Sequence, residues 1–208
     1  MRTFVVPCFY DPIVFECVNA IREHHPTDRI VVVDSCSPDQ TYLNDLREQG
    51  CEILTGNTGY HPGAYKLALE AFDSDTWAFI HDSLIVQRNL DGRLHDFTAV
   101  RWFDGYIPAD QLDFAWGHLK HMQAKTLLAV PWRGVFGTMH FCSDDIAREI
   151  EKDGFYSFPC TTKVEASATE RTLGVLMGDS FDTLQGHQTD LHAAYDETFV
   201  RKVMKDRP

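Results

Sequence analysis

The amino-acid sequence predicts an α/β domain with a mostly parallel central sheet and helices on both faces. Three observations carry that expectation. Near-continuous apolar runs of strand length, such as Phe4–Phe9 and Ile30–Val33, recur up to about Leu90. Strands buried on both faces read this way, with little polar alternation. Segments of helical period stand between them. Finally, 208 residues with 44% hydrophobic content supply a core for one such domain without disulfides or metal, whereas two full domains would be cramped.

Taken in order, Thr3–Cys8 is a β-branched and apolar run, so it reads as a first strand. Asp11 then precedes Pro12 and the amphipathic Ile13–His24, which gives a helix with Asp11 as N-cap and Pro12 in its first position. Arg29–Asp34 is a second strand, ended by Ser-Cys-Ser-Pro-Asp. Tyr42–Gln49 has helical spacing and stops at Gly50. Cys51–Leu54 forms a third strand, Asn57–Gly63 a glycine-containing loop, Ala64–Phe72 a helix, and Trp77–Val86 a fourth strand interrupted by His81-Asp82-Ser83. Beyond Leu90 the strand signals weaken and aromatics cluster. There Leu112–His121, Asp144–Lys152 (capped by Ser143 or Asp144) and Glu170–Met177 (ended by Gly178) read as helices. The expected organisation is one domain over 1–208, with a ligand-binding half to about residue 90 and a more variable half after it.

Composition removes several classes. No apolar run approaches the roughly 20 residues of a membrane helix, and the stretch after Met1-Arg2 is broken by Pro7 and Asp11, too early for a secretory core. A cytoplasmic protein without a membrane span is the expectation. The six cysteines contain no CxxC pair, so neither a zinc cluster nor a disulfide framework is expected. A formal charge of −12 disfavours broad nucleic-acid binding, which relies on Lys and Arg displacing phosphate counterions.

In an open parallel sheet, ligands bind beyond the carboxyl ends of the strands. The residues there are Pro7-Cys8-Phe9-Tyr10, Asp34-Ser35-Cys36-Ser37, Thr55–Gly63 and His81-Asp82-Ser83. The first two places lack GxGxxG and GxxxxGK[ST], which sets aside dinucleotide and P-loop sites. Asp34 can accept hydrogen bonds from a ribose hydroxyl or a base N–H, or equally serve a turn. Asp82 makes the stronger case: a carboxylate set between Phe79-Ile80 and Leu84-Ile85-Val86 is costly unless it faces a polar site or a cation. With His81 and Ser83 it offers donors suited to Mg²⁺ or Mn²⁺ carrying a diphosphate.

The run Ile30-Val-Val-Val-Asp34-Ser-Cys-Ser-Pro-Asp39 resembles the second strand of family 2 glycosyltransferases, an apolar run followed by D-[DN]-x-S-x-D. Asn57-Thr-Gly59 with Gly63-Ala64 is similar to their N-x-G-x-x-x-A segment, and His81-Asp82-Ser83 stands where they carry DxD. About 90 residues share the likeness. It implies a GT-A fold, a nucleotide-diphospho-sugar donor, UDP-linked by expectation, and an acceptor hydroxyl. By the same likeness, Pro7, Cys8, Phe9, Tyr10, Asp34, Ser35, Asn57, Gly63, Lys66, His81 and Ser83 line the nucleotide, and Asp82 serves the diphosphate and a Mn²⁺ or Mg²⁺ ion. His187, after Gly186, completes the metal shell. Trp132-Arg-Gly134-Val-Phe-Gly137 resembles the loop lining the donor-sugar and acceptor site, with Trp102 as a second aromatic candidate. Glu170, in the place of the xED motif, is the general base, and Glu165 is its substitute.

The sequence departs from the family where DxD becomes His81-Asp82-Ser83 and xED becomes Thr169-Glu170-Arg171, each keeping one acid. Metal-assisted transfer is the expectation, and metal independence stays open beside it. So do an inactive sugar-nucleotide-binding module and a nucleotidyltransferase on a related sheet, although Pro7–Pro12 lacks the basic glycine-rich loop of the latter. Polysaccharide, protein, lipid-linked sugar and modified nucleobase stay open as acceptors.

Overall fold

The computed structural model describes residues 1–122, 132–178, 181–184 and 199–203. The first half alternates strand and helix as the sequence pattern demands: β1 (Arg2–Cys8), α1 (Ile13–His24), β2 (Arg29–Asp34), α2 (Tyr42–Glu48), β3 (Glu52–Leu54), α3 (Tyr60–Ala71) and β4 (Thr76–Phe79). Pro12, rather than the expected Asp11, occupies the N-cap position of α1, while the Asp11 carboxylate still accepts from the Ile13 N–H at 3.0 Å. Gly50, at φ +78°, ends the turn after α2, a conformation that glycine adopts without steric cost.

Two further boundaries in this half differ from expectation. Helix α3 begins at Tyr60, one turn ahead of Ala64, because Pro62 lies within the first turn, where a missing N–H costs no helical bond. The interrupted fourth strand is two strands: β4 stays in the main sheet, whereas β5 (Leu84–Val86) leaves it and pairs antiparallel with β11 (Val200–Lys202). His81-Asp82-Ser83 is the bend between them.

The second half supplies β6 (Phe97–Ala99), β7 (Trp102–Asp104), α4 (Leu112–His121), β8 (Arg133–Val135), β9 (His140–Ser143), α5 (Asp144–Lys152), α6 (Lys163–Met177) and β10 (Asp182–Thr183). The main seven-stranded sheet runs β10, β6, β9, β4, β1, β2, β3, and β9 alone lies antiparallel to its neighbours. Strands β7 and β8 form a separate antiparallel pair. Helix α6 starts at Lys163, seven residues ahead of Glu170, behind a capping box: Thr162 accepts from the Glu165 N–H, and the Glu165 carboxylate accepts from the Thr162 N–H.

The alternation of side chains divides β1 between two cores. Phe4, Val6 and Cys8 pack with Ile30, Val32, Ala78, Ile80 and α1 on one face. Val5, Val31, Val33, Trp77 and Phe79 pack with α3, α5 and α6 on the other. Arg148 on α5 donates to the Leu69 and Phe72 carbonyls, two of the groups left without helical partners at the end of α3. The sheet is thus covered on both faces, and its strand ends are the available edge. Among the described residues, no helix is long and apolar enough to cross a membrane.

Candidate functional site

The strand order reverses at β1: β2 and β3 follow on one side and β4 lies on the other. Such a reversal opens a crevice at the carboxyl edge of the sheet. Because β9 is antiparallel, its beginning reaches this same edge, with His140 opposite Phe79. The Phe136–Thr138 turn just before β9 therefore stands beside the His81-Asp82-Ser83 bend.

Side chains from elements far apart in the chain meet there. The His61 ring, from the first turn of α3, lies 5.0 Å from the His81 ring, tilted by 41°. His61 Nε2 is 3.4 Å from Thr169 Oγ1 on α6. Gly137 has φ +65°, and a Cβ placed on it would come within 2.9 Å of the His81 ring, so only glycine lets this turn close on the histidine. The Gly137 N–H donates to the Glu170 carboxylate, and Arg171 Nη1 reaches Glu170 Oε2 at 3.1 Å. On the far side the Lys202 ammonium donates to the Ser83 hydroxyl. Asp82 is 6% exposed.

Burial sets the electrostatics. Desolvation pushes the Glu170 carboxyl up to about 7, against the opposing pull of Arg171, the Gly137 N–H and Lys202. Desolvation and, secondarily, the Lys202 charge bring His61 down to about 3, so its imidazole is neutral. The deeply buried Cys17 thiol beneath the bend is raised mainly by desolvation, with Asp82 raising it further and Lys202 lowering it. One acid held near neutrality, one neutral imidazole and one ammonium suit proton transfer beside an anionic leaving group.

The expected nucleotide residues form a neighbouring, aromatic part of the edge. Phe9 and Tyr10 are 59% and 49% exposed, although large aromatics are usually covered. The Tyr10 ring lies 5.2 Å from that of Tyr42, and its N–H donates to Ser37 Oγ. Cys8 is buried beneath, while Pro7 is partly covered in β1. The Asp34 carboxylate is wholly buried, accepting from Tyr42 Oη at 2.7 Å, Gln40 Nε2 at 2.9 Å and the Ser37 N–H at 3.1 Å. Its donors come from the loop after β2 and from the first residue of α2, so it shapes that connection. Asn57 ties the next loop down: its amide donates to Ser35 Oγ and the Tyr60 carbonyl and accepts from the Gly59 N–H. A Cβ on Gly63 would stand 2.6 Å from Asn57 Oδ1, which explains the glycine there. The Lys66 amine pairs with Glu70, one turn along α3.

In the second half, Gly134 is a packing residue, since a Cβ there would meet the Phe103 ring at 2.0 Å. Trp132 is almost buried against Gly105, and Trp102 carries the Arg133 guanidinium 4.2 Å from its ring centre. Glu165 is engaged in the α6 capping box, on the exposed start of the helix. His187 lies outside the described residues. His61 and Lys202 were not singled out in the sequence: His61 sits in a stretch that reads as loop, and Lys202 reaches the site only through the β5–β11 pairing.

The fit of Mn²⁺ or Mg²⁺ can be judged from the donors. Such ions want several hard oxygens, about six in all. The bend offers one carboxylate, Asp82; the Ser83 hydroxyl accepts from an ammonium, and Glu170 is held by Arg171 and Gly137. Among the described residues, no three His, Cys, Asp or Glu side chains gather closely enough to hold a metal. The described residues thus bring one carboxylate to the bend, and the further donor expected there, His187, lies outside them. A hollow of about 460 Å³ lies at the opposite, amino-terminal edge, lined by Arg2, Thr76 and Ser143. The Arg2 guanidinium there is already paired with Asp28 and Asp91, so this hollow is not the site.

Comparison with solved structures supports the fold class. S. aureus TarS, as its 1–349 fragment, superposes with a TM-score of 0.55 at 12% identity, over 97% of this chain and 60% of that one. A complex of the same fragment with UDP gives 0.52 at 13% identity, over 96% and 59%. M. tuberculosis glucosyl-3-phosphoglycerate synthase gives 0.50 at 14% identity, over 100% and 73%. The chain thus spans about 60% of the TarS fragment's length. It has the mixed α/β, GT-A-like fold of these glycosyltransferases. No family model and no curated protein matches the sequence.

Proposed function

We propose that the chain is a glycosyltransferase that takes a sugar from a nucleoside-diphosphate donor, UDP-linked by preference, and passes it to an acceptor hydroxyl. The observation that carries this reading is that the Lys202 ammonium bonds to Ser83 beside Asp82 and its charge reaches Glu170, while Phe9 and Tyr10 stand exposed after β1 at the same edge of the sheet. Exposed aromatic faces suit a nucleobase, and the crevice at the strand reversal suits the diphosphate. The UDP complex of the TarS fragment is a property of that protein, and it makes UDP the first donor nucleotide to test.

In this reading Glu170 is the general base. Its carboxyl, raised to about 7, is ionised enough at neutral pH to accept the acceptor hydroxyl's proton and basic enough to hold it. Glu165 is the weaker candidate because its carboxylate accepts from Thr161 and Thr162 at the head of α6. Asp82 and His81 shape the pocket floor beneath the diphosphate, and Gly137 keeps His81 in place.

A thermal-shift screen of nucleotide sugars, with and without Mn²⁺, tests the donor reading. A ligand that binds only the folded chain raises its apparent stability by mass action, by about 2.7 kcal/mol at a hundred times Kd. A shift with one nucleoside-diphosphate sugar and its nucleotide supports the assignment. No shift with any of them removes it.

A further inference from the structure

Resting on that donor reading, we propose that Lys202 is the cation that receives the leaving diphosphate, so that donor binding in this protein does not depend on a divalent metal. Geometry carries the inference. Strand β11 runs antiparallel to β5 with Lys202 opposite Leu84, and the Val203 N–H donates to the Ser83 carbonyl at 2.9 Å. The backbone is therefore clamped at the residue that closes the His81-Asp82-Ser83 bend. From this anchored position the ammonium reaches the Ser83 hydroxyl.

Its charge is felt by groups on three other elements: Cys17 on α1, His61 on α3 and Glu170 on α6. The ammonium accordingly lies among the side chains of the bend. A lysine held by strand pairing is a fixed positive charge with three donors, the kind of group that binds phosphate as a point charge. Among the described residues the bend carries one carboxylate, a poor cradle for a divalent ion, and an ammonium beside it opposes a second cation.

The transfer step balances with these groups. The bond between the anomeric carbon and the phosphate oxygen breaks, and its electron pair stays on that oxygen. The nucleoside diphosphate leaves with one more negative charge, which Lys202 meets by hydrogen bonding. The acceptor oxygen forms the new bond to the anomeric carbon, and its proton passes to Glu170. No oxidant or further reactant is needed.

The test is calorimetric titration of the unaltered chain, Lys202→Met and Lys202→Arg with UDP and with uridine, each in EDTA and in Mn²⁺. Thermal melts check that both variants fold. UDP is expected to bind the unaltered chain equally, within about twofold, in EDTA and in Mn²⁺. Lys202→Met should weaken UDP by about tenfold or more, the scale of one hydrogen bond to a charged group. Uridine, lacking phosphate, should change by less than about twofold, and Lys202→Arg should recover most of the loss. UDP binding that requires Mn²⁺ and is indifferent to Lys202→Met overturns the inference while leaving the donor reading standing. Failure of every variant and the unaltered chain to bind UDP, with or without Mn²⁺, overturns the inference and the UDP preference of the donor reading, and the thermal-shift screen decides the rest of that reading. If Lys202→Met does not fold, Lys202→Arg and the EDTA comparison on the unaltered chain decide, since strict Mn²⁺ dependence contradicts the inference by itself.

Discussion

The Gly137 backbone closes on the His81 ring so tightly that a single added methyl would stand 2.9 Å from it. This contact joins the turn before β9 to the bend after β4, and the same Gly137 donates its N–H to Glu170. Replacing Gly137 by Ala should therefore do two things. The left-handed backbone costs about 1 to 2 kcal/mol for a residue with a Cβ, and the His81 ring must move. Gly178→Ala provides the comparison, since Gly178 also has positive φ but nothing lies within 4 Å of its added Cβ. Both variants should lower Tm, and only Gly137→Ala should also weaken nucleotide binding, as measured by melting with and without UDP.

Glu170 predicts the pH dependence of turnover. A base must be ionised to accept a proton, so kcat/KM should rise with pH through an apparent pKa near 7, the value to which burial lifts this carboxyl. Glu170→Gln should lower kcat by about 100-fold or more and remove that limb. Stability moves the opposite way. A carboxyl raised on folding stabilises the native state below its unfolded value and loses that contribution as pH climbs toward 7. Glu170→Gln should therefore gain stability relative to the unaltered chain between about pH 4.5 and 7, read from paired melts.

The buried histidines set the acid limit. Burial brings His118 and His140 down to about 4, each with both ring nitrogens engaged: His118 with Phe155 O and Thr172 Oγ1, His140 with Thr138 O and Tyr156 Oη. In the unfolded chain they titrate near 6.5. Between these values the unfolded state binds more protons, so their contribution to stability falls as pH drops from about 6.5 to about 4. Calorimetric melts of His118→Asn should show a shallower acid decline than those of the unaltered chain.

Asp34 is tested through Tyr42, whose hydroxyl donates to it at 2.7 Å inside the protein. Tyr42→Phe removes a donor from a buried carboxylate and should cost about 1.5 to 3 kcal/mol. A double-mutant cycle with Asp34→Asn should give a coupling of about 0.5 to 3 kcal/mol, since the two side chains share one bond. Urea titration measures both.

Much of this arrangement was legible in the sequence. The strand Arg29–Asp34 and the helices Ile13–His24, Leu112–His121 and Asp144–Lys152 have the extents the pattern predicts, because their apolar periodicity is local to the segment, and α5 also carries its Ser143 cap. The start of α3 was hidden because Pro62 and Gly63 read as a loop, although a proline in the first helical turn needs no partner for its nitrogen. The capping box of Thr162 and Glu165 was present in the sequence as T-x-x-E, yet the resemblance drew Glu165 toward a catalytic role.

The site itself was half visible. Asp82 stands out by its residue type between two apolar runs, whereas Glu170 was indicated only by the resemblance to family 2 glycosyltransferases. Lys202 and the fate of Leu84–Val86 depend on a strand pair between segments more than 100 residues apart, and local pattern says nothing of such partners. His61 likewise acquires meaning only when α3 sets it against His81. Of the aromatic residues in the second half, Phe103 and Trp132 are buried while Tyr106 and Trp116 are exposed, and the exposed rings just after β1 belong to Phe9 and Tyr10.

The central claim is that the crevice around Asp82 turns over a nucleotide sugar. Its most direct measurement is release of the nucleoside diphosphate from the donor picked out by thermal shift, by the unaltered chain and by Asp82→Ala. The account predicts steady release by the unaltered chain and a fall of about 100-fold in the variant, the scale of losing an electrostatic group at a reacting centre. Equal release by the two proteins, or none by the unaltered chain with the donor bound, would contradict it.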